Sequence, residues 1–277
     1  MRKLILRLRA LGPALLLATA AATPAVSQQA RPLSAQAASA EAAPPGADAG
    51  LHRLLTAEEA RPWAAVGRVN VAGSGFCTGT LIAPDLVVTA AHCLFFPRTG
   101  RPVPASDVHF LAGWRKGETR AHARVRDYAL APGYHPDDTD QQRRLGSDFA
   151  LLVLEEPIAE SAAVPFDRAP CPRISEPVAL VSYARARSEV ASIQEPCHVL
   201  SRDDHLLLLS CDVNFGASGS PVFVTGEGRP GLAGLVSAMT EWRGERVAVG
   251  IDFGEALDAM LAGLGRGPMP EPPRPGG

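Results

Sequence analysis

The sequence predicts an all-β fold with closed sheets, and two observations lead to this prediction. Many short apolar runs are separated by turns rich in Gly and Pro, which is typical of short strands in closed β architectures. One helical pattern occurs near the C-terminus, where Asp252 offers an N-cap and Glu255 stands at capping-box spacing, predicting a helix over residues 253–264. Hydrophobic residues make up 46% of the chain and aromatic residues 5%, so the core depends on Val, Leu, Ile and Ala.

The strand candidates fall into a group before Pro157 and a group after it. Between the second and third candidates, Ala83-Pro84-Asp85 predicts a hairpin-like turn. The polar stretch 136–146 predicts an exposed loop. The first group comprises 63–69, 77–82, 86–89, 108–112, 122–131 and 149–154, and the second comprises 178–183, 197–200, 206–211, 222–224, 232–237 and 247–251.

The N-terminus has the composition of a secretory signal, predicted over residues 1–27. Basic residues precede an apolar run, 10–22, that is shorter than the roughly 20 residues needed to span a bilayer, although a membrane anchor stays open as the alternative. Residues 28–59 are rich in Ala, Gln, Ser, Pro and Gly, which predicts a flexible leader or propeptide. We therefore expect a secreted or periplasmic protein without membrane contact once the signal is removed.

Charge and cysteine content narrow the function classes. The chain carries a net charge of -2, and removal of 1–27 leaves 23 basic against 29 acidic residues, which gives no reason to expect a nucleic-acid partner. Export permits disulfides, but five cysteines leave at least one unpaired within the chain. No Cys-x2-Cys or His-x3-His spacing supports a metal site, and no cofactor is expected.

Three stretches predict a catalytic site. The turn 216–221 reads Gly-Ala-Ser-Gly-Ser-Pro between two apolar runs, and it places a serine hydroxyl beside backbone N–H groups, as acyl transfer requires. Such small-residue turns are common, so this turn alone is a weak signal. Upstream, residues 89–93 read Thr-Ala-Ala-His-Cys. Between them, Asp148 stands just before an apolar strand, where a buried carboxylate needs a hydrogen-bond donor.

At these stretches the chain resembles the trypsin/chymotrypsin-like serine proteases, whose triad runs His, Asp, Ser along the chain. The serine frame is similar to that of the bacterial secreted members, the glutamyl-endopeptidase-like group. The resemblance covers about 60–264 and implies two packed six-stranded antiparallel β-barrels, one over 60–157 and one over 158–264 that ends in the C-terminal helix. The Pro- and Gly-rich residues 265–277 are expected to be a disordered tail.

The resemblance implies a serine endopeptidase that hydrolyses peptide bonds through an acyl-enzyme. His92 would be the general base, Asp148 would orient it and Ser218 would be the nucleophile, with Ser220 as the competing candidate. The N–H groups of Gly216 and Ser218 would form the oxyanion hole. A protein or peptide substrate and a monomeric state are expected. Two alternatives stay open: a catalytically idle protease-like binding module, and an esterase-type hydrolase on the same fold.

The resemblance also bears on the cysteines and on activation. It implies a disulfide between Cys77 and Cys93, which flank the His loop. Cys197 and Cys211 bracket a short hairpin and are expected to pair, which leaves Cys171 buried and free or in an intermolecular link. The residue before the nucleophile is alanine where trypsin has an aspartate that pairs with its new N-terminus, so we do not expect activation by that salt bridge.

Substrate specificity is left open between basic and small apolar side chains. Asp212 lies six residues before Ser218, where members with a basic preference carry an aspartate at the pocket floor, but this carboxylate can also serve only to hold the hairpin. Ser237 matches the strand that hydrogen-bonds the substrate backbone, and Met239 can narrow the entrance. Val236 stands where glutamate-specific relatives place a histidine, so an acidic preference is not expected.

Overall fold

The computed structural model describes residues 50–226 and 228–270. The described chain begins with the short strand β1 (Leu51–Arg53) and the one-turn helix α1 (Ala57–Ala60). A capping box closes the start of α1, in which the Thr56 side chain accepts from the Glu59 N–H and the Glu59 carboxylate accepts from the Thr56 N–H. The predicted signal peptide, 1–27, lies outside the described residues.

The first barrel is a closed antiparallel sheet with the strand order β2-β3-β4-β7-β6-β5. Alternation of buried and partly exposed residues along β5 shows how the sequence builds it: Val108, Phe110 and Ala112 point into the core, and His109 and Leu111 face outward. In chain order, its strands are β2 (Val66–Val71), β3 (Gly75–Ala83), β4 (Leu86–Thr89), β5 (Val108–Ala112), β6 (Ala121–Leu130) and β7 (Ala150–Leu154).

The second barrel closes in the same way, with the order β9-β10-β13-β12-β11-β8 and a further pairing of β8 with β9. The strand β1 adds to it through β9, with Leu51 opposite Gln194. Two six-stranded antiparallel barrels confirm the predicted fold class. The strands of this barrel are β8 (Pro177–Ser182), β9 (Ser192–Asp203), β10 (Leu206–Leu209), β11 (Pro221–Val224), β12 (Gly231–Trp242) and β13 (Glu245–Asp252).

Two helices differ from the sequence-based expectation. The stretch predicted as an exposed loop contains α2 (Gln141–Gly146), because the Asp140 side chain accepts from the Arg143 N–H and caps the first turn. The C-terminal helix, α3 (Ala256–Gly263), begins three residues later than predicted. Asp252 does not cap it, since its carboxylate accepts from the Gly254 N–H at 3.0 Å and pairs with Arg202 at 3.3 Å.

The two segments predicted to be flexible are ordered where the structure describes them. In the predicted leader, 28–59, residues from 50 onward form β1 and α1, and Leu54 is 3% exposed. In the predicted disordered tail, 265–277, the Arg266 guanidinium donates to the Asp85 carboxylate at 2.5 Å and Met269 is buried. Both corrections have one reason: the barrels offer an open strand edge and an apolar surface to which these residues bind.

Candidate active site

Adjacent strands of the first barrel bring His92 and Asp148 together. His92 lies in a short 3₁₀ turn that follows β4, and Asp148 lies two residues before the first residue of β7. Since β4 pairs with β7, with Thr89 opposite Ala150, the two side chains emerge at the same edge of the barrel. Asp148 Oδ2 lies 2.7 Å from His92 Nδ1, and the His92 backbone N–H donates to Asp148 Oδ1 at 2.8 Å. This double contact fixes the orientation of the imidazole ring.

A third donor completes the environment of the buried carboxylate. Asp148 is 3% exposed, and Ser237 Oγ of β12 donates to its Oδ2 at 2.5 Å. A buried carboxylate is stable only when its oxygens accept hydrogen bonds, and here both oxygens do. Ser237 therefore reaches across from the second barrel to the carboxylate of the first barrel.

The pKa of His92 is raised above its ordinary value. Burial acts to lower this pKa, but the negative charge of Asp148 and its hydrogen bond to the ring outweigh burial. The imidazole side chain is still 41% exposed, so its other nitrogen can meet a substrate or a serine hydroxyl. Asp148 thus makes His92 a stronger base than a free imidazole.

Two disulfides brace the loops around the site. Cys77 of β3 is bonded to Cys93, the residue after His92, with the two Cα atoms 6.4 Å apart. Cys197 is bonded to Cys211, at the start of the segment that leads to Ser218. Cys171 is the free cysteine; it is half-buried, and burial raises the pKa of its thiol to about 12.

The turn that carries Ser218 depends on two glycines. Gly216 has φ +97° and Gly219 has φ +79°, a region that glycine adopts without strain. A Cβ on Gly216 would lie 2.5 Å from the Phe76 ring, and one on Gly219 would lie 2.2 Å from the Thr78 carbonyl oxygen. Among the described residues, the N–H groups of Gly216 and Ser218 make no hydrogen bond, so both are available to a ligand.

Ser218 and Ser220 differ in accessibility. Ser220 is 0% exposed, and its Oγ has no hydrogen-bond partner within 50–226 and 228–270. Ser218 is partly exposed. No hydrogen bond joins the Ser218 hydroxyl to His92 in the described part of the chain. Between the two serines, Ser218 is therefore the one that a substrate can reach.

Hydrogen bonds on both sides nevertheless connect the Ser218 turn to residues next to the His92–Asp148 pair. The Ser218 carbonyl accepts from the Thr78 N–H at 2.9 Å, and Thr78 follows the disulfide-bonded Cys77. On the other side, the Gly219 N–H donates to the Val236 carbonyl at 2.7 Å, and the next residue along β12 is the serine that binds Asp148. The turn is thus held from both barrels.

Thr78 is a site residue that the sequence analysis missed. Its side chain is fully buried, and its Oγ1 donates to the Gly216 carbonyl at 2.9 Å and accepts from the Tyr183 N–H at 3.1 Å. Its own carbonyl accepts from Thr89 Oγ1 at 2.7 Å. One threonine of the first barrel therefore sets the position of the glycine that would form the oxyanion hole. No local signal marks it, because the partners of its hydroxyl, Gly216 and Tyr183, lie more than a hundred residues away.

Asp212, predicted to line the substrate pocket, has a basic neighbour. Its Oδ1 lies 3.5 Å from Arg246 Nε of β13, and its backbone N–H donates to Gln194 Oε1 at 2.9 Å. The Asp212 side chain is 20% exposed and that of Arg246 is 47% exposed. The negative charge at this position is therefore matched by a positive charge from the chain itself.

A match to a known protein family spans the candidate active site. A family model described as the trypsin-like peptidase domain matches residues 73–232. The chain belongs to the trypsin-like peptidase family. The match spans the His92 turn, Asp148 and the Ser218 turn, and it confirms the resemblance on which the sequence analysis relied.

Similar proteins come from animals and bacteria. A glutamyl endopeptidase of Bacillus licheniformis is 24% identical over 194 residues, covering 69% of this chain and 58% of the relative. A trypsin of Sarcophaga bullata is 32% identical over 114 residues, covering 41% of the chain and 40% of the relative, and a modular serine protease of Drosophila melanogaster is 36% identical over 94 residues, covering 32% and 14%. The matched segments thus span between 14% and 58% of these relatives.

A solved structure supports the fold. The structure of a Glu endopeptidase in complex with MPD superposes with a TM-score of 0.62 at 18% identity, covering 79% of this chain and 97% of that one. At this identity, the superposition shows that this chain shares the double-barrel fold. Among its described residues, no helix is both long and apolar enough to cross a membrane.

Proposed function

We propose that this protein is a serine endopeptidase that hydrolyses peptide bonds of protein substrates through an acyl-enzyme. The observation that carries the proposal is the His92–Asp148 pair, in which a buried carboxylate orients and activates a partly exposed imidazole. In the reaction, His92 accepts the Ser218 proton as the hydroxyl attacks the carbonyl carbon, and it returns a proton to the leaving amine. In the second half of the reaction, His92 accepts a proton from water as the water oxygen attacks the acyl carbon. His92 then gives that proton to Ser218 Oγ as the ester bond breaks, which releases the acid product and restores the serine.

The Ser218 turn supplies the other half of the chemistry. The N–H groups of Gly216 and Ser218 receive the oxyanion that forms when the carbonyl is attacked. The hydrogen bond between Ser218 and His92 forms as the substrate binds, since such bonds are commonly long or absent in ligand-free enzymes. Both N–H groups are free of other partners among the described residues, which is what this role requires.

Two features of the chain support export of the protein. Two disulfides favour an oxidising compartment, and the composition of residues 1–27 favours a cleaved signal peptide. We therefore place the mature enzyme outside the cytoplasm, and its monomeric state stays a prediction.

The ion pair between Asp212 and Arg246 supports a preference for uncharged side chains over basic ones. A lysine or arginine side chain would have to compete with Arg246 for Asp212, which lowers the gain from placing a cation there. Of the two preferences left open by the sequence, the small or medium apolar one is therefore the better supported.

A serine-directed fluorophosphonate probe, with peptide hydrolysis measured in parallel, tests the assignment. Ser218→Ala should lose both labelling and hydrolysis, whereas Ser220→Ala should keep both, because the Ser220 hydroxyl is buried and without a partner in the described chain. Labelling without peptide hydrolysis, but with ester hydrolysis, would favour the esterase alternative. No labelling of the folded wild-type protein would favour the idle binding module.

A further inference from the structure

Two histidines are in contact on the outer face of the first barrel. His109 of β5 and His122 of β6 both point away from the core, and Nδ1 of His109 lies 2.8 Å from Nε2 of His122. Their ring centroids are 5.0 Å apart with the planes inclined by 37°. Both rings line a groove of about 460 Å³ that is open to solvent. Two imidazole nitrogens therefore meet in an accessible groove.

An orphaned acceptor lines the same groove. Asn70 of β2 stands opposite His109 in the sheet, so its side chain lies on the same outer face. Its Oδ1 is shielded from bulk solvent and has no hydrogen-bond partner among the described residues. A buried acceptor without a donor is costly, and a bound ion or water is a common reason for such an atom. Three adjacent strands thus line one groove with two imidazole rings and one unpartnered amide oxygen.

We infer that His109, His122 and Asn70 form a binding site for a divalent transition-metal ion of the Zn²⁺ or Cu²⁺ class. Imidazole nitrogens are the ligands that these ions prefer. Around a tetrahedral Zn²⁺, with Zn–N bonds of about 2.0–2.1 Å, two ligand nitrogens lie about 3.3 Å apart. The two nitrogens are now joined by a hydrogen bond at 2.8 Å, so they have to separate by about 0.5 Å when the ion binds. The ring that donates this hydrogen bond has to carry its proton on its other nitrogen instead, so that both facing nitrogens offer a lone pair. Three protein ligands leave one coordination position for water.

The charges around the groove permit a cation. Arg124 stands opposite His109 on β6, and its guanidinium is 3.4 Å from the Glu155 carboxylate. Arg68 lines the groove, with Glu189 at 3.9 Å and its guanidinium stacked over the Phe76 ring at 4.2 Å from the ring centre. Each arginine near the site thus has its own acidic partner, so the net repulsion of a divalent ion is small.

The spacing of metal ligands along the sequence does not reveal this site. His109 and His122 are thirteen residues apart and belong to different strands. Only the pairing of β5 with β6, in which Leu111 is opposite His122, brings the two rings together. The cluster of Cys77, Cys93 and His92 is closer in sequence, but its two sulfur atoms are joined in a disulfide and offer no thiolate.

Calorimetric titration of the full-length protein with ZnCl₂ at about pH 7.5 tests the site, since imidazole ligands must be deprotonated. The wild-type protein should bind one Zn²⁺ at this site. His109→Ala and His122→Ala should each weaken binding at least tenfold, because even an outer-sphere partner of a metal ligand is worth roughly 10–100-fold. Asn70→Ala should weaken binding as well. His135→Ala, which removes an exposed histidine elsewhere, should leave the affinity unchanged.

A spectroscopic readout separates this site from the catalytic imidazole. The electron paramagnetic resonance spectrum of bound Cu²⁺ should show coupling to two nitrogens in the wild type and in His92→Ala, and to one nitrogen or none in His122→Ala. Thermal melting should show that each variant is folded, as expected for changes at the surface. The assignment would be wrong if the His109→Ala variant and the His122→Ala variant each kept the wild-type affinity for the metal ion. It would also be wrong if binding disappeared in His92→Ala alone.

Discussion

Thr78→Val is the substitution that tests most directly how the two barrels hold the nucleophile turn. Valine has nearly the same shape as threonine but cannot form hydrogen bonds. The change leaves the Tyr183 N–H and the Gly216 carbonyl without the Thr78 hydroxyl. The backbone bond from the Thr78 N–H to the Ser218 carbonyl is kept, so the turn stays attached while the glycine loses its fixed orientation.

The magnitude follows from the burial of the two partners. A buried polar group that loses its hydrogen bond costs about 1–3 kcal/mol, and the Gly216 carbonyl is only part-buried, so water compensates some of its loss. We expect the free energy of unfolding to fall by roughly 2–4 kcal/mol and the melting temperature to fall by roughly 5–15 °C, at about 2–4 °C per kcal/mol. Since a misplaced oxyanion donor slows acyl transfer, kcat should fall by roughly 10–100-fold.

Thr80→Val is the matched control. Thr80 lies two residues further along β3 and is equally buried, but its Oγ1 has no hydrogen-bond partner among the described residues. Replacing that hydroxyl with a methyl group should leave stability and kcat nearly unchanged or raise stability slightly. Urea unfolding, thermal melting and hydrolysis of a chromogenic peptide measure the three quantities. Equal stability and equal kcat for the two variants would show that the Thr78 hydroxyl does not position the turn.

Two further predictions concern pH and specificity. Because the pKa of His92 is raised and the imidazole must be neutral to accept a proton, kcat/KM should rise with pH through a midpoint above about 6.5. Asp148→Asn removes the negative charge that raises the pKa of His92 but leaves the imidazole buried, so the midpoint of the pH–rate profile should move to lower pH. The same variant should lower kcat by about 10⁴-fold. A midpoint that does not move would refute the role of Asp148. Arg246→Ala should raise kcat/KM for Arg and Lys peptides, relative to Ala and Val peptides, by about fivefold to tenfold, because a partly exposed ion pair is worth about 1 kcal/mol. An unchanged ratio would mean that Asp212 is structural.

Short motifs and apolar runs in the sequence were enough to predict most barrel strands and the candidate catalytic residues. The barrel strands were predicted because runs such as 86–89 and 149–154 are apolar and end at turn-forming residues. His92, Asp148 and Ser218 were singled out because their immediate neighbours are distinctive. The structure brings the first two into contact, and the role of Ser218 remains a prediction for the labelling experiment.

The tertiary structure decided what depends on partners far along the chain. The ends of the domain were predicted to be flexible from their composition, yet Leu51–Arg53 is ordered because β9 offers it an unpaired edge. Thr78, Arg246 and the His109–His122 pair carry no local signal, since threonine, arginine and histidine are ordinary residues on any strand. Their roles arise from strand register and barrel contact, which place side chains within hydrogen-bond distance regardless of their separation in sequence.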